Sequence, residues 1–326
     1  MSHQNILLEY VRLWGGAASE AVLDPLCKTF TTAGVEGFIA YRDQPECAVA
    51  IGDPVCAAHH VSELATAFHD YCKNNQKSVV YILVSKEYEQ FLMQNFCKVS
   101  LEFGQEIILN PASENLLKGA RGKVLRQKIN HAKQSQVTVN EYLEEDQSLE
   151  EQMVQVGRQW LKNRHGPQVH ISQIELFSNR SGKRWFYAKH DQKIVGVLML
   201  NQLQAKQGWL FDRVMATQEA PNGTNELLIA TAIEHVQKDG CNYISLGLVP
   251  GDRLGDIKGL SKITGWLIRQ LYSLIKLILP IKKLKRFWKK FHPKEEPAFI
   301  LFSKPSISFL EIRSLFRALN VSIKKT

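Results

Sequence analysis

The stretch of this sequence that most restricts its fold is Gly208–Pro250. It begins with an apolar segment of strand-forming residues, 209–216, and ends with a second one, 243–249. Between them, Pro221-Asn222-Gly223 has the chemistry of a turn, and Thr224 is placed to cap the start of a helix. A strand, a helix and a second strand in this order form a crossover that lays the helix on a sheet, so the stretch predicts an α/β fold.

The residues around the turn of this crossover have two interpretations. Asp212 projects from the first strand beside the turn, and the free amides and dipole of the following helix start attract anions. A carboxylate next to an anion-binding helix start indicates a functional site. However, any crossover needs a turn and a cap, so the pattern also fits a purely structural unit, and taken alone it favours neither.

The rest of the chain indicates two parts of similar organisation. A length of 326 residues is sufficient for two domains with real cores. The acidic, polar segment 141–151 marks a boundary, which divides the chain into residues 1–142 and 143–326. Both parts share the order helix, strands, helix, strand, which indicates a structural repeat without visible sequence identity. In the first part we predict strands at 37–41, 48–51, 78–84 and 103–109 and helices at 62–74 (capped by Ser62), 86–96 and 113–135. In the second part we predict a helix at 152–163, strands at 184–189 and 194–201, and the crossover.

Composition argues against several classes of protein. The six cysteines are scattered without a CxxC pair, which is typical of reduced thiols rather than of a disulfide framework or a zinc site. We therefore predict no metal. The amino-terminal residues lack the pattern of a secretory signal, and no run of about 18 uncharged apolar residues predicts a spanning helix. We expect a cytoplasmic protein; the sequence carries no signal of its oligomeric state.

The net charge of +9 is concentrated in one segment. Between Asp256 and Glu295 there are eleven lysines and arginines and no acidic residue, whereas the rest of the chain has 30 basic and 32 acidic residues. Such a block indicates an anionic partner, either phospholipid or nucleic acid.

The pattern within this basic segment, 258–294, favours a membrane surface. Residues 265–281 are apolar on almost every side, and 282–291 place Leu284, Phe287, Trp288 and Phe291 on one helical face with basic residues elsewhere. This is typical of a helix lying in a membrane interface, so we predict peripheral association with the inner membrane. The alternative is a core helix followed by a solvated basic helix. The predicted membrane contacts are Trp266, Lys282, Lys283, Lys285, Arg286, Trp288 and Lys289.

A second basic stretch lies at 113–135, and its sequence predicts a largely helical segment. Lys123 and Arg126, with other basic residues there, suit phosphates of RNA or lipid. A solvated helix face is slightly favoured instead, because the charges do not form one stripe.

Several motifs together resemble the catalytic domain of bacterial phosphatidylglycerol lysyltransferases, the C-terminal part of the multiple peptide resistance factor. They occur in the expected order over about residues 37–302. They are Ile51-Gly-Asp-Pro-Val55, Gly122-Lys-Val-Leu-Arg126 with Asn130, Trp160-Leu161, Phe211-Asp212, Ala220-Pro-Asn-Gly-Thr224, Ser245-Leu-Gly247, and Lys290-Phe291 with Pro293 and Glu296-Pro297. The resemblance covers the catalytic domain and not the membrane-spanning flippase half that usually precedes it.

The resemblance implies tandem acetyltransferase-like (GNAT) domains with mixed central sheets and a basic amphipathic helical segment. It implies transfer of an aminoacyl group from aminoacyl-tRNA, the co-substrate, to a hydroxyl of phosphatidylglycerol in an anionic phospholipid membrane. This transesterification needs no metal and no redox cofactor. The usual glycine spacing of a coenzyme A loop is missing at 222–224, which argues against acetyl-CoA.

The resemblance also implies roles for particular residues. Asp212 is the candidate base, or holds the substrate's α-amino group; the alternative is a structural carboxylate paired with Arg213 or a lysine. The turn Asn222, Gly223 and Thr224 would hold a phosphate or the developing oxyanion. Lys290 would contact a phosphate, Glu296 would position substrate, and Lys123, Arg126 and Asn130 would face the tRNA or the domain cleft, although each also fits a solvated or structural position.

Two departures from the family's pattern bear on the substrate. Met215 stands where the family has an arginine, and Pro293-Lys-Glu-Glu-Pro-Ala298 replaces Pro-x-Trp-Glu-Pro-Arg.

Two other classes of function remain open. One is an acyl-CoA-dependent or peptidoglycan-peptide N-acyltransferase on the same fold, and the other is a non-catalytic membrane-binding module.

Overall fold

A computed structural model describes residues 3–112, 116–163, 176–275 and 286–319. The helices are α1 (His3–Trp14), α2 (Ser19–Val22), α3 (Val61–Asn74), α4 (Lys86–Asn95), α5 (Lys123–Gln134), α6 (Gln147–Lys162), α7 (Thr224–Lys238), α8 (Lys262–Ile275) and α9 (Phe309–Ala318). The strands are β1 (Lys28–Phe30), β2 (Gly37–Asp43), β3 (Cys47–Ile51), β4 (Val55–Cys56), β5 (Ser78–Val84), β6 (Val99–Leu109), β7 (Thr138–Glu141), β8 (Lys183–His190), β9 (Lys193–Leu203), β10 (Gly208–Ala216), β11 (Tyr243–Pro250), β12 (Ile257–Lys258) and β13 (Lys294–Phe302).

One mixed sheet runs through both predicted parts of the chain. In the described residues its order is β1-β2-β3-β5-β13-β6-β11-β10-β9-β8-β7, with β12 on β6 and β4 on β2. Strand β13 lies between β5 and β6, and β6 continues the sheet to β11. The predicted α/β class with mixed parallel and antiparallel pairing is confirmed, but the strands form one sheet. The boundary near residue 142 stays a prediction.

Among the described residues, the sheet contains two parallel crossovers. In the first, β3 and β5 are joined through α3 and pair in parallel. In the second, β10 and β11 are joined through α7 and also pair in parallel. This is the repeat that the order of elements in the sequence indicates.

Helices cover both faces of the sheet, and their apolar side chains form its core. Around the second crossover, α5 and α7 pack on one face through residues such as Leu125 and Leu228, while α6 packs on the other through Met153. Around the first, α3 and α4 cover one face, and α1, α2 and α9 contribute to the core on the other. Leu125, Leu228 and Met153 are fully buried, and each such side chain contributes about 1.5–3 kcal/mol.

Several helix starts differ from the predictions. Helix α3 begins at Val61 after His60, so Ser62 is not its cap. Helix α6 begins at Gln147, within the predicted boundary segment, because the Asp146 side chain caps it by accepting from the Leu149 amide at 3.1 Å.

The basic stretch at 113–135 is helical only from Lys123. Residues 116–122 form turns, and the Arg126 guanidinium holds them by donating to the carbonyl oxygens of Leu117 and of Gly119, the latter at 2.8 Å. Residues 113–115 lie outside the described residues. None of the helices in the described part of the chain is long and apolar enough to cross a membrane.

Candidate active site

The two strands of the second crossover separate along their length. β10 and β11 pair at Gly208↔Tyr243, Trp209↔Ile244 and Leu210↔Ser245, and their pairing ends there. Beyond these positions β10 follows β9, whereas β11 pairs with β6. The strands therefore open at their carboxyl ends, which is the edge where open α/β sheets bind ligands.

Asp212 lies where this opening begins. The register of β10 against β9 shifts between Phe211 and Arg213, so Asp212 is the extra residue of a β-bulge. The bulge changes which side chains share a face. Phe211 and Val214 pack beneath α7, whereas Met215 packs on the side of α6.

An ion pair fixes the direction of the Asp212 carboxylate. Arg213 Nε donates to Asp212 Oδ2 at 2.8 Å, and both side chains are about 15% exposed. This is the pairing with Arg213 that the sequence left open. Met215, at the position of the family's arginine, is fully buried and apolar. The guanidinium group beside Asp212 is therefore that of Arg213, and the residue at position 215 supplies none.

The turn before α7 is packed against α5. Lys128 Nζ donates to Asn222 Oδ1 at 2.9 Å, and His131 Nδ1 lies 3.0 Å from the Asn222 carbonyl oxygen. Gly223 has φ +97°, and a Cβ there would lie 2.0 Å from the Lys128 carbonyl oxygen, so this position requires glycine.

Thr224 is not the cap of α7, contrary to the prediction. Gly223 occupies the cap position without a side-chain bond, and Thr224 is the first helical residue. The Thr224 hydroxyl is buried and donates to the Pro221 carbonyl oxygen at 2.7 Å, so it closes the turn. Two buried oxygens of this region, Thr217 Oγ1 and Asn225 Oδ1, lack a hydrogen-bond partner.

Lys290 reaches the same helix start. Its Nζ donates to Glu226 Oε1 at 2.5 Å in the first turn of α7 and lies 4.7 Å from the centre of the Phe287 ring. The Glu226 side chain is 7% exposed and that of Lys290 is 22% exposed. The Asp212–Arg213 pair on β10 thus borders the opening. The second ion pair joins Glu226, on the helix that follows β10, to Lys290 of the segment 286–291.

Glu296 belongs to a second group of carboxylates, at the junction of β13, β6 and β11. It lies directly opposite Glu106 on β6, and Tyr243 Oη donates to Glu106 Oε1 at 2.5 Å. Burial raises the pKa of Glu106, and the nearby Glu296 charge raises it further, while hydrogen bonds with Tyr243 and Ser245 oppose the shift. Burial likewise raises the pKa of Asp53 to about 6, with smaller contributions from Glu87 and Glu106.

Residues from three of the motifs that carry the family resemblance therefore interact with Glu106 by charge, hydrogen bond or strand pairing. Asp53 comes from Gly-Asp-Pro, Ser245 from Ser-Leu-Gly, and Glu296 from Glu-Pro. This convergence of distant segments on one partly buried carboxyl group was not visible along the chain.

A cavity of about 240 Å³ lies at the carboxyl end of β11. It is lined by Glu102, Gly104, Gln105, Gly251, Asp252 and Arg253. Arg269 and Tyr272 of α8 fix the loop that forms its wall. Arg269 Nη2 donates to the Gly255 carbonyl oxygen at 2.6 Å, and Tyr272 Oη donates to the Gly251 carbonyl oxygen at 2.7 Å.

The residues predicted on α5 have mixed positions. Lys123 and Asn130 are exposed, whereas the Arg126 guanidinium is used within the protein. In the described residues, no group of three or more His, Cys, Asp and Glu side chains is arranged to hold a metal ion.

The predicted membrane contacts divide into three groups. Trp266, Arg286 and Lys289 are exposed. Trp288 is only 6% exposed and packs with Phe291 against the core beneath α5 and α7, so its prediction as a membrane contact is wrong. The apolar face of 286–291 is covered by protein. Lys282, Lys283 and Lys285 lie outside the described residues.

Sequence reasoning named Arg213 as one possible partner of Asp212, but it missed Glu226 and Glu106. Glu226 stands three positions after Gly223, where a first-turn acidic residue suits the helix dipole. Glu106 is a charged residue directly before the apolar run Ile107–Leu109 of a central strand. A charge in such a position is unusual, and this signal could have identified it.

Comparisons with known proteins identify the family and the fold of the chain. The model of the family "Phosphatidylglycerol lysyltransferase, C-terminal" matches residues 21–302. No protein of curated function matches the chain in sequence.

Several solved structures share the fold. The C-terminal domain of a protein assigned as a lysylphosphatidylglycerol synthetase from Agrobacterium fabrum is 18% identical, with a TM-score of 0.77 over 98% of this chain and 97% of that one. L-PGS from Bacillus licheniformis is 14% identical, with a TM-score of 0.79 over 97% and 96%. FemX is 9% identical, with a TM-score of 0.55 over 98% and 99%.

Proposed function

This chain belongs to the family of phosphatidylglycerol lysyltransferase C-terminal domains, and on that premise we propose that it transfers an aminoacyl group from aminoacyl-tRNA to a hydroxyl of phosphatidylglycerol. The reaction takes place at the inner face of the membrane.

The observation that carries this proposal is the opening between β10 and β11, with Asp212 on its bulge. In the reaction, the lipid hydroxyl oxygen forms a bond to the ester carbonyl carbon, and the bond from that carbon to the tRNA ribose oxygen breaks. The proton of the attacking hydroxyl passes to the departing ribose oxygen. A carboxylate held at the reacting atoms can accept and return this proton.

Asp212 is the carboxylate that we assign to this proton transfer, and Arg213 positions it. Since the carboxylate already has a guanidinium partner at 2.8 Å, it is less suited to hold the substrate's α-ammonium group. The transferred ester is already activated, so orientation of the two substrates supplies much of the rate.

Glu106 and Glu296 are better placed to hold a cationic aminoacyl group. They lie side by side on neighbouring strands, and an ammonium group between them would relieve the repulsion of two like charges. Lys294, the cation bonded to Glu296 at 2.7 Å, is 71% exposed and therefore largely screened by solvent. This assignment favours a basic amino acid over alanine.

The test is transfer of radiolabelled amino acids from a set of aminoacyl-tRNAs to phosphatidylglycerol dispersed in detergent. We expect label in the lipid fraction with wild type and a loss of about 100-fold or more in Asp212→Asn. The matched control is Asp191→Asn, a change in an exposed turn of the same part of the chain, which should keep wild-type transfer.

Other outcomes would overturn the proposal in distinct ways. Label entering a peptide acceptor but not lipid would indicate a peptide aminoacyltransferase. No label in any acceptor with any aminoacyl-tRNA would indicate a non-catalytic module. If Asp212→Asn lowers the melting temperature but not the rate, the Asp212–Arg213 pair is purely structural.

A further inference from the structure

We propose that α8 docks the protein on an anionic phospholipid surface by inserting its exposed apolar face between the lipids. This inference rests on the proposed function for the identity of the lipid acceptor, and it names the element that brings the protein to that lipid.

One face of α8 is apolar and uncovered. Five large side chains on this helix are exposed: Ile263 (76%), Trp266 (58%), Leu267 (54%), Leu271 (40%) and Leu274 (63%). At about 100° per residue they fall within an arc of about 140°. The exposed Gln270 is the polar residue within this arc. Single exposed apolar residues are ordinary, but five of them on one helical face mark an interaction site.

The opposite face of α8 holds the helix to the body of the protein. Ile268 packs against the core beside β6, and Gly265 approaches Ile257. Arg269 and Tyr272 donate to backbone carbonyl oxygens of the loop 251–255 and of Phe103. The helix is therefore fixed with its apolar side outward.

The charge around α8 selects the partner. The sequence from 257 to 294 carries eleven basic residues and no acidic one. In a symmetric dimer through this face, the same patch of each copy would meet the other, which would bring together two copies of α8, a helix that carries Lys262 and Arg269 and no acidic residue. An anionic membrane instead accepts the apolar side chains in its acyl region and the cations at its headgroups.

Docking through α8 would also place the lipid near the cavity at the end of β11. The loop that Arg269 and Tyr272 hold is the loop that supplies Gly251, Asp252 and Arg253 to the cavity lining. The cavity is thus about one helix diameter, roughly 10 Å, from the inserted face. The aromatic face at 286–291 is buried and does not contribute to this docking.

The experiment measures sedimentation of the full chain with vesicles of phosphatidylcholine containing one quarter phosphatidylglycerol. The variant Leu267→Ser/Leu274→Ser removes two side chains from the face without changing charge. The matched control is Leu26→Ser/Leu143→Ser, which removes two leucines that are 59% and 80% exposed in loops. We expect the partition coefficient to fall at least about tenfold in the first variant and to change less than about twofold in the control.

A second measurement follows Trp266. Its emission should shift to the blue and be quenched by brominated lipid when vesicles are added. This change should disappear in Trp266→Phe, while the remaining tryptophans provide the baseline. Binding should weaken with added salt and with vesicles of phosphatidylcholine alone.

A third measurement separates docking from chemistry. Transfer to dihexanoyl-phosphatidylglycerol below its micelle concentration needs no docking, so Leu267→Ser/Leu274→Ser should keep wild-type transfer there. If wild type transfers nothing, the proposed function fails, yet the vesicle measurements still decide the docking. Equal vesicle binding by both variants, or a dimer that becomes monomeric in the first variant with vesicle binding unchanged, would overturn the inference.

Discussion

The two crossovers of this protein have the same connection and different strand pairing. In the first, β3 and β5 pair at five successive positions, from Cys47↔Ser78 to Ile51↔Ile82, and all five β3 residues are buried. In the second, β10 and β11 pair at three positions and then separate. The first crossover, whose parallel strands stay paired, is called the closed crossover, and the second, whose strands separate, is called the open crossover.

The difference shows how a repeated unit can divide scaffold from site. The bulge at Asp212 turns β10 away from the ladder, and β11 continues along β6 instead. Polar groups that would be excluded from the closed crossover can then lie between strands. Corresponding changes in the two crossovers should therefore differ in their effect on transfer.

The largest expected effect is that of Gly223→Ala in the open crossover. The added Cβ would lie 2.0 Å from a backbone oxygen of α5, and alanine disfavours φ +97°, so we expect a loss of about 3–5 kcal/mol in unfolding free energy. Transfer per folded molecule should fall at least about tenfold because the first turn of α7 moves. Chemical denaturation and the transfer assay measure these effects.

The matched change in the closed crossover is Gly52→Ala, at φ +69° with the nearest atom, Ala18 Cβ, at 2.9 Å. We expect a loss of about 1–3 kcal/mol and unchanged transfer per folded molecule. A greater loss of transfer in Gly52→Ala than in Gly223→Ala would assign the site to the wrong crossover.

The second prediction concerns the ion pair at the start of α7. Lys290→Met leaves the Glu226 carboxylate buried without its cation, so we expect a loss of about 2–4 kcal/mol. Lys290→Met/Glu226→Gln should recover much of this stability. If Lys290 also contacts a substrate phosphate, transfer stays low in the double variant.

The corresponding pair near the closed crossover is Arg42–Asp24, with both side chains 5% exposed and Nη2 2.9 Å from Oδ2. Arg42→Met should cost about 3–5 kcal/mol without lowering transfer per folded molecule. Recovery of full transfer in Lys290→Met/Glu226→Gln would show that Lys290, like Arg42, is only structural.

The sequence predicted local elements well where a strand is long and apolar. The predicted strand 78–84 matches β5 to the residue, and the predicted strand 209–216 matches β10 to within one residue, because burial on the sheet leaves a continuous apolar run. The order of the sheet was not predictable in this way. That β13 lies between β5 and β6 depends on pairings between residues about 200 positions apart.

The candidate site was predicted in location but not in its contacts. The turn chemistry at 221–223 correctly located the start of α7. The bulge at Asp212 leaves no local signature, and the ion pair of Glu226 with Lys290 joins distant segments. The amphipathic pattern of 286–291 showed which side chains share a face, but it could not show that protein rather than lipid covers Trp288 and Phe291.

The third prediction concerns Asp53, the carboxyl group that follows the closed crossover's first strand. Its pKa is raised from 3.8 to about 6 by burial, so ionising it costs the folded protein about 3 kcal/mol at 1.4 kcal/mol per pH unit. In this range the folded state binds more protons than the unfolded state. The contribution of Asp53 to stability therefore falls as pH rises from about 4 to about 6.

Asp53→Asn removes this dependence and keeps an acceptor for the Ser85 amide, which lies 3.0 Å from Oδ1. We expect the variant to be more stable than wild type by about 1–3 kcal/mol at pH 7 and nearly equal to it at pH 4. Urea denaturation at both pH values measures the difference. Glu106 also interacts with Asp53, so a transfer loss in Asp53→Asn would extend the site toward the closed crossover.

The smallest expected effects compare the two residues that the sequence wrongly predicted as helix caps. Thr224→Val keeps the buried shape and loses the hydroxyl bond to the Pro221 carbonyl oxygen, which still accepts from the Thr224 amide at 3.1 Å. We expect a loss of about 1 kcal/mol. Ser62 is exposed on α3 and caps nothing, so Ser62→Ala should change stability by less than about 0.5 kcal/mol.

A cost of about 1 kcal/mol in Ser62→Ala, as a true cap would show, would contradict the helix start at Val61. Equal, near-zero costs at both positions would mean that α5 and Gly223 alone hold the turn of the open crossover.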